Sequence, residues 1–128
     1  MTTSLPLVGT TSDACGRPAA AGLGAEQAGA VARTFKALSD PARVRLLSII
    51  AAAPEGDACI CDLTEPVGLS QPTVSHHMKL LAEAGLVTRE QRGRWAHYAV
   101  APGARALLAA SADAALQPAD VAGAAERS

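Results

Sequence analysis

The segment "LSQPTVSHHMKLLAEAGLV", residues 69–87, constrains the fold more than any other part of the chain, because it contains both ends of an amphipathic helix. Ser70 is a favoured N-cap, and Pro72 fits the first turn, where its missing N–H has no intrahelical partner to lose. Gly85 predicts the end of the helix. Between them runs an apolar stripe at helical spacing: Val74, Met78 and Leu81.

Three further helices are predicted before this one. Residues 27–38 carry apolar side chains at i, i+4 and i+7, namely Val31, Phe35 and Leu38. The segment "SDPARVRLLSIIAAAPEG" has Asp40 as N-cap and Pro41 at the first helical position. It continues with a predicted inward stripe: Val44, Leu47 and Ala51. A short helix in "CDLTEPVG" and a turn over residues 67–70 then give a helix-turn-helix.

Two strand-like segments, "LVTREQ" and "WAHYAV", follow this motif, and Gly93 between them suits a tight hairpin turn. A last Ala- and Leu-rich helix covers roughly residues 103–116. The predicted fold class is mainly α with a β hairpin, in the order α-α-α-α-β-β-α. This is the order of a winged helix-turn-helix, in which one helix enters the major groove of DNA and the hairpin lies along the neighbouring backbone.

The length of 128 residues suits one small domain. We predict a flexible arm over residues 1–24, a DNA-binding and dimerisation domain over 25–116, and a polar tail over 117–128. One Trp, one Tyr and one Phe make a thin core, so we expect a second subunit to complete it. No apolar run is long enough for a membrane span and no signal peptide is recognisable, which predicts a cytoplasmic protein with no membrane partner.

Charge and side-chain chemistry favour double-stranded DNA as a partner. The net charge is −1, yet residues 70–105 hold five basic and two acidic side chains. Side chains able to read base edges lie opposite the apolar stripe: Gln71, Thr73, Ser75, His76 and Lys79. Arg92 and Arg94 on the hairpin would neutralise phosphates. The alternative is an ordinary solvated face, and for His77, at the edge of the stripe, packing is the expected role.

Two cysteines stand two residues apart in "DACICDL". On a helix, side chains at that spacing diverge by about 200° and cannot bind one ion, so a shared site requires non-helical backbone at Cys59 and Cys61. A position just before or at the start of the short helix satisfies this, and Asp62 could cap that helix. Thiols at a helix N-terminus have a lowered pKa and supply the thiolate that soft ions bind.

Four segments together resemble the ArsR/SmtB family of arsenic- and metal-responsive repressors: "FKALSDPARVRLLSII", "CICDL", "LSQPTVSHHMKLLAEAGLV" and "RGRWAHYAV". The resemblance covers residues 27 to about 102. It implies a homodimer, assembled through its first and last helices, that represses an operator until a toxic ion binds. No nucleophile, base and orienting group occur together, so we predict that the chain is not an enzyme.

"CICDL" resembles the family's arsenic and cadmium type of site. The best-known arsenic sensors have a further cysteine directly after this motif, where this chain has Thr64. Cys15 is the remaining thiol, and related cadmium and lead sensors bring such a cysteine from an N-terminal arm. The implied metal ligands are therefore Cys15, Cys59 and Cys61. Three thiolates suit As(III) or Sb(III), while Cd(II) or Pb(II) stays open because soft divalent ions also favour sulfur.

The sequence also contains residues for two other sites and leaves two other functions open. A zinc site on the last helix is discounted because Asp113 has no histidine beside it there, and His97 is expected to be structural. A thiol redox repressor of the same fold would pair Cys15 with Cys59 or Cys61 on oxidation. A metal carrier without a DNA role would leave the polar face of the 69–87 helix without any function.

Overall fold

The computed structural model describes residues 22–117, and residues 23–116 form one compact unit. The helices are α1 (Ala25–Ala37), α2 (Pro41–Ala51), α3 (Thr64–Val67), α4 (Gln71–Glu83) and α5 (Ala104–Ala115). The strands are β1 (Asp57–Cys59), β2 (Val87–Arg92) and β3 (Trp95–Val100), and a 3₁₀ turn, Ile60–Asp62, joins β1 to α3. Cys15 and nearly all of the predicted arm and tail lie outside the described residues, so those domain boundaries stay predictions.

Local capping chemistry explains where the two central helices begin. The Asp40 carboxylate accepts a hydrogen bond from the Ala42 backbone N–H at 2.7 Å, and Pro41 occupies the first position of α2. The Ser70 hydroxyl accepts one from the Thr73 N–H at 3.4 Å at the start of α4. Both predicted N-caps are confirmed. Gly85, with φ of 84°, takes the left-handed conformation directly after α4, as predicted.

The sheet has three antiparallel strands in the order β1-β3-β2, so the prediction of a two-stranded hairpin was incomplete. The hairpin itself is present, with Arg92 opposite Trp95 around Gly93. The missed strand, β1, is only three residues long and pairs Cys59 with His97 and Asp57 with Ala99. A strand this short has no readable alternation of its own, because it exists only through its pairing with β3.

The core lies where α2 and α4 pack together and against the sheet. Its fully buried side chains are Leu46, Ile50, Leu63, Val74, Met78, Leu81 and Leu86. The α4 stripe is therefore confirmed. The predicted face of α2 was wrong, since Leu46 and Ile50 are buried while Val44 is 47% exposed. Apolar residues occur on several sides of α2, so spacing alone does not identify its inner face.

Helix α1 is present as predicted, but within the single chain its apolar stripe is not the buried face. Thr34 and Ala37 are the buried residues of α1, whereas Phe35 is 42% exposed. Small side chains suit the contact between α1 and α5, which pack against each other. Phe35 is thereby left on the outer side of the first helix.

Candidate nucleic-acid interface and cysteine site

The polar face of α4 points away from the core. Four of its five predicted base-reading side chains, Gln71, Thr73, His76 and Lys79, are exposed, and the fifth, Ser75, is half-buried. They are placed by the packing of the opposite stripe, because burial of that stripe fixes the rotation of the helix about its axis. The side chains are therefore on the predicted face, and their contact with DNA stays a prediction.

A concave groove of about 520 Å³ lies between α4 and the hairpin β2–β3. Polar and basic side chains from both elements line it: Gln71, Ser75, Lys79, Arg89, Gln91 and Arg94. The cations are Lys79 on the helix and two arginines on the hairpin. Glu83 also lines the groove, so helix and hairpin share one surface on which three cations outnumber one carboxylate.

The hairpin arginines fall into two groups. Arg92 Nη2 donates to Asp57 Oδ2 at 2.6 Å and to Glu90 Oε1 at 2.9 Å. These hydrogen bonds, first the one to Glu90 and then the one to Asp57, raise the pKa of Arg92 above its ordinary value. Since side chains alternate along a strand, Arg92 and Glu90 lie on the sheet face opposite Arg89. Arg92 is therefore held by carboxylates of its own chain, outside the groove.

Arg89 and Arg94 line the groove instead. Arg89 Nη2 donates to Gln91 Oε1 at 2.6 Å, and within residues 22–117 Arg94 forms no ion pair. Arg94 is one of the two arginines predicted to contact phosphate, whereas Arg89 was not included among the predicted DNA contacts. Its spacing of two residues from Gln91, on one face of a strand, is the signal that could have identified it.

The cysteines lie at the junction of β1 with the 3₁₀ turn. Cys59 ends the strand in extended conformation, with φ of −72° and ψ of 142°, and its Sγ accepts a hydrogen bond from the Cys61 N–H at 3.2 Å. The expected non-helical backbone is thus present. Cys59, rather than Asp62, caps the turn, and α3 has no side-chain cap. Cys59 is 8% exposed and Cys61 is exposed.

The structure joins Cys59 and Cys61 in a disulfide, with a Cα–Cα distance of 5.1 Å. Two sulfurs that can bond to each other can also contact one ion once they are reduced to thiolates. The pairing leaves neither sulfur free for Cys15, so the predicted redox pairing of Cys15 is not the one found. The two sulfurs are already side by side, and drawing them together is therefore not what would distort the fold on ion binding.

The donor set within the described residues suits part of a soft-ion site. No group of three or more His, Cys, Asp or Glu side chains in residues 22–117 is placed to hold a metal ion. Cys59 and Cys61 are two of the three predicted ligands, and the third, Cys15, lies outside this range. His97 is half-buried opposite Cys59, with its Nδ1 3.5 Å from Arg92 Nη1. Its structural role stays a prediction.

The cysteine site is connected to the hairpin through the sheet. Strand β1 carries Cys59 at one end and Asp57 at the other, and both residues pair with β3. The Asp57–Arg92 ion pair adds a side-chain link from β1 to β2. Strand pairing and this ion pair thus join the cysteine turn to the hairpin that lines the groove.

Comparison with known sequences places these features among regulatory proteins. Residues 40–89 match the family described as "Bacterial regulatory protein, arsR family". The arsenic resistance transcriptional regulator ArsR1 of Pseudomonas putida is 41% identical over 68 residues, 53% of this chain and 52% of that protein. An HTH-type transcriptional regulator of Methanocaldococcus jannaschii is 37% identical over 67 residues, 52% of this chain and 73% of that protein. The chain thus spans about half the length of the first of these relatives.

Solved structures with the same fold include two regulators. A homodimeric winged helix-turn-helix DNA-binding domain of Mycobacterium bovis, a possible ArsR-family regulator, is 29% identical with a TM-score of 0.55 over 76% of this chain and 94% of that one. The AntR antimony-specific transcriptional repressor is 26% identical with a TM-score of 0.56 over 88% and 91%. The predicted winged helix-turn-helix is confirmed. No helix within residues 22–117 has the length and apolar character needed to cross a membrane.

Proposed function

The chain belongs to the arsR family of bacterial regulatory proteins, which are DNA-binding regulators and not enzymes, and we propose that it is a cytoplasmic repressor that binds operator DNA as a homodimer. The observation that carries the proposal is the groove shared by α4 and the hairpin. It brings Lys79, Arg89 and Arg94 together with hydrogen-bonding side chains on one exposed surface. Such a surface offers both cations for phosphates and polar groups for base edges.

In this proposal α4 enters the major groove of the operator. Gln71 can pair with adenine, Thr73 and Ser75 with several base edges, and Lys79 with guanine or phosphate. His76 lies on the same exposed face. Arg94 and Arg89 neutralise phosphates beside the helix, and they fix its register without specifying sequence. Arg92, predicted to share this role, contributes less because Asp57 and Glu90 already bind its guanidinium.

The proposed effector is As(III) or Sb(III), bound by the thiolates of Cys59 and Cys61 with Cys15 as the third ligand. The proximity of Cys59 and Cys61 supports it. Bound at that site, the ion supplies only soft Lewis acidity toward sulfur. The cysteines must first be in the dithiol state, which requires two electrons and two protons per disulfide. Cd(II) or Pb(II) is the alternative effector of the same site, since both also favour thiolates.

Release of DNA follows from where the cysteines lie. Recruiting a third ligand to Cys59 and Cys61 would shift the end of β1 and the turn that leads into α3. Strand β1 is hydrogen-bonded to β3, and α3 is the first helix of the helix-turn-helix. A shift there changes the angle between α4 and the hairpin, so that the two elements no longer fit one DNA surface.

A redox-sensing repressor is the second candidate, because the structure contains the Cys59–Cys61 disulfide. Hydrogen peroxide would oxidise the two thiols, taking two electrons and two protons from them, so that one S–S bond forms and two waters are released. Operator release by peroxide in the absence of any metal would favour this candidate. Release by arsenite under reducing conditions would favour the first.

The DNA-binding proposal is tested by titrating the DNA upstream of the protein's own gene with reduced protein at several salt concentrations. We expect affinity to fall steeply with salt, and Lys79→Gln to weaken binding about tenfold. If Lys79 contacts phosphate, the salt slope also falls by about one unit. Lys36→Gln, on the last turn of α1 and outside the groove, serves as a control for the loss of one exposed cation. Binding that is insensitive to salt, or equal for Lys79→Gln and the unsubstituted protein, would contradict the proposal.

A further inference from the structure

The guanidinium group of Arg43 joins three helices of the fold. Arg43 lies in the first turn of α2, and its side chain is 11% exposed. Its Nε donates to the Ala37 carbonyl at 2.7 Å and its Nη2 to the Lys36 carbonyl at 3.3 Å, both at the C-terminus of α1. Its Nη1 lies 3.1 Å from Nδ1 of His77, on α4. One side chain therefore contacts the first helix and the reading helix at once.

The chemistry of these groups fixes the direction of the contact with α4. Arginine has only donors, so His77 Nδ1 must accept, and the hydrogen of the neutral ring is on Nε2. Both carbonyls lie in the last turn of α1, where a cation is favourable. The Lys36 carbonyl also accepts from the Ser39 N–H and hydroxyl. The planar guanidinium reaches both α1 and His77 with separate nitrogens, which the single ammonium of lysine cannot reproduce.

We propose that Arg43 is a positioning residue that sets the orientation of α4 relative to α1, and thereby the fit of the reading face to a specific operator. This inference rests on the proposed DNA-binding function. His77, the residue that Arg43 contacts on α4, is adjacent in the chain to His76, one of the predicted base-reading residues. A rotation of the helix at His77 therefore moves the reading face directly. In a dimer assembled through the first and last helices, the same contact relates α4 to the dimer axis.

A direct phosphate contact by Arg43 would have different consequences. Its nitrogens are occupied by the α1 carbonyls and by His77, and the side chain is nearly buried. Arg45, two residues further along α2, is exposed and has no ion pair within the described part of the chain. Arg45 therefore provides a matched control, because its substitution removes the same charge from the same helix.

The test compares Arg43→Gln with Arg45→Gln by fluorescence anisotropy, on operator DNA and on a scrambled duplex of equal length and composition, at several salt concentrations. For Arg43→Gln we expect operator affinity to fall about tenfold while scrambled-DNA affinity and the salt slope stay unchanged. Arg45→Gln should leave the ratio of the two affinities unaltered. Equal loss on both duplexes with a slope reduced by about one unit would identify a phosphate contact and overturn the proposal.

His77→Leu provides a second variant that keeps Arg43 and its bonds to α1. It should reproduce most of the tenfold loss of affinity for operator DNA. The double variant should lose little more affinity, because both substitutions break the same Arg43–His77 contact. A folded His77→Leu protein with the unsubstituted ratio of affinities would contradict the proposal, even if Arg43→Gln were too unstable to measure.

Amide hydrogen exchange of the DNA-free protein separates this inference from the proposed function. Arg43→Gln should speed exchange along α4, and Arg45→Gln should not. Unchanged exchange in α4 would overturn the positioning role whatever the DNA result. Faster exchange in α4, with an unsubstituted protein that never prefers its upstream DNA over the scrambled duplex, would reject the operator function and retain Arg43 as the residue that orients α4.

Discussion

The reading helix α4 and the cysteine turn, residues 59–62, are held in place by different forces. Helix α4 is fixed by the complete burial of Val74, Met78 and Leu81 against the core. The cysteine turn is held by the short β1 pairing, by one hydrogen bond to the Cys59 sulfur and by the burial of one large apolar side chain, Ile60. Burial of such a side chain contributes about 1.5–3 kcal/mol, and a single hydrogen bond about 1 kcal/mol. A bound ion could therefore displace the turn, while the reading helix keeps its internal form.

Met78→Ala tests the first half of this comparison and should have the largest effect on stability. Removing this fully buried side chain leaves a cavity and should lower the free energy of unfolding by about 2–5 kcal/mol, measured by urea denaturation of reduced protein. Cys61→Ala is the control in the turn, because Cys61 is exposed, and should stay within about 0.5 kcal/mol. Similar losses for both variants would remove the distinction between the two regions.

Ser70→Ala tests how far α4 depends on its cap. The hydroxyl of Ser70 accepts from the Thr73 N–H and also donates to the Thr73 hydroxyl at 3.0 Å. Its loss should lower the free energy of unfolding by about 1 kcal/mol. Ser39→Ala, which removes a hydroxyl bonded to the Lys36 carbonyl beyond the end of α1, is a control for the general loss of a surface hydroxyl. An effect of Ser70→Ala no larger than the control would mean that core packing alone defines the start of α4.

The same contrast explains what could be predicted from the sequence. The signals for α4, from Ser70 to Gly85, all lie within its own segment, so local periodicity and capping identified it. Strand β1 was missed because its three residues acquire strand structure only by pairing with β3. The face of α2 was misassigned because apolar residues occur on several sides of it.

The features of the site that depend on local sequence were predictable in the same way, and those that depend on long-range pairing were not. The polar face of α4 follows from the helical repeat, and the non-helical backbone at Cys59 and Cys61 follows from the geometry that two ligands of one ion require. Strand alternation separates Arg89 from Arg92, but the ion pair of Arg92 with Asp57 was not predictable, because Asp57 is distant in sequence and is brought close by β1. Long-range pairing, which spacing along the chain does not reveal, decided which arginine is bound by a carboxylate of another strand.

Asp57→Asn should have the smallest effect, and it sharpens the comparison at the boundary of the two regions. The Asp57–Arg92 pair is partly exposed and screened by solvent, so its loss should change the free energy of unfolding little. If this ion pair links the cysteine turn to the hairpin, the Asp57→Asn protein should need more effector to release DNA. Effector binding to its thiols should be unchanged. Glu90→Gln is the control, since it removes the carboxylate of the same network that lies on β2 itself. Equal effects of both variants on release would reject the link.

The most direct test of the central claim is release of operator DNA by arsenite, measured by anisotropy with fully reduced protein, for the unsubstituted chain and for Cys59→Ser. Because Cys59 is proposed to bind the ion and not the DNA, the account predicts equal operator affinity for both proteins and release by arsenite only for the unsubstituted one. Release of the Cys59→Ser protein at the same arsenite concentration would show that the cysteine turn is not the effector site, and would contradict the account.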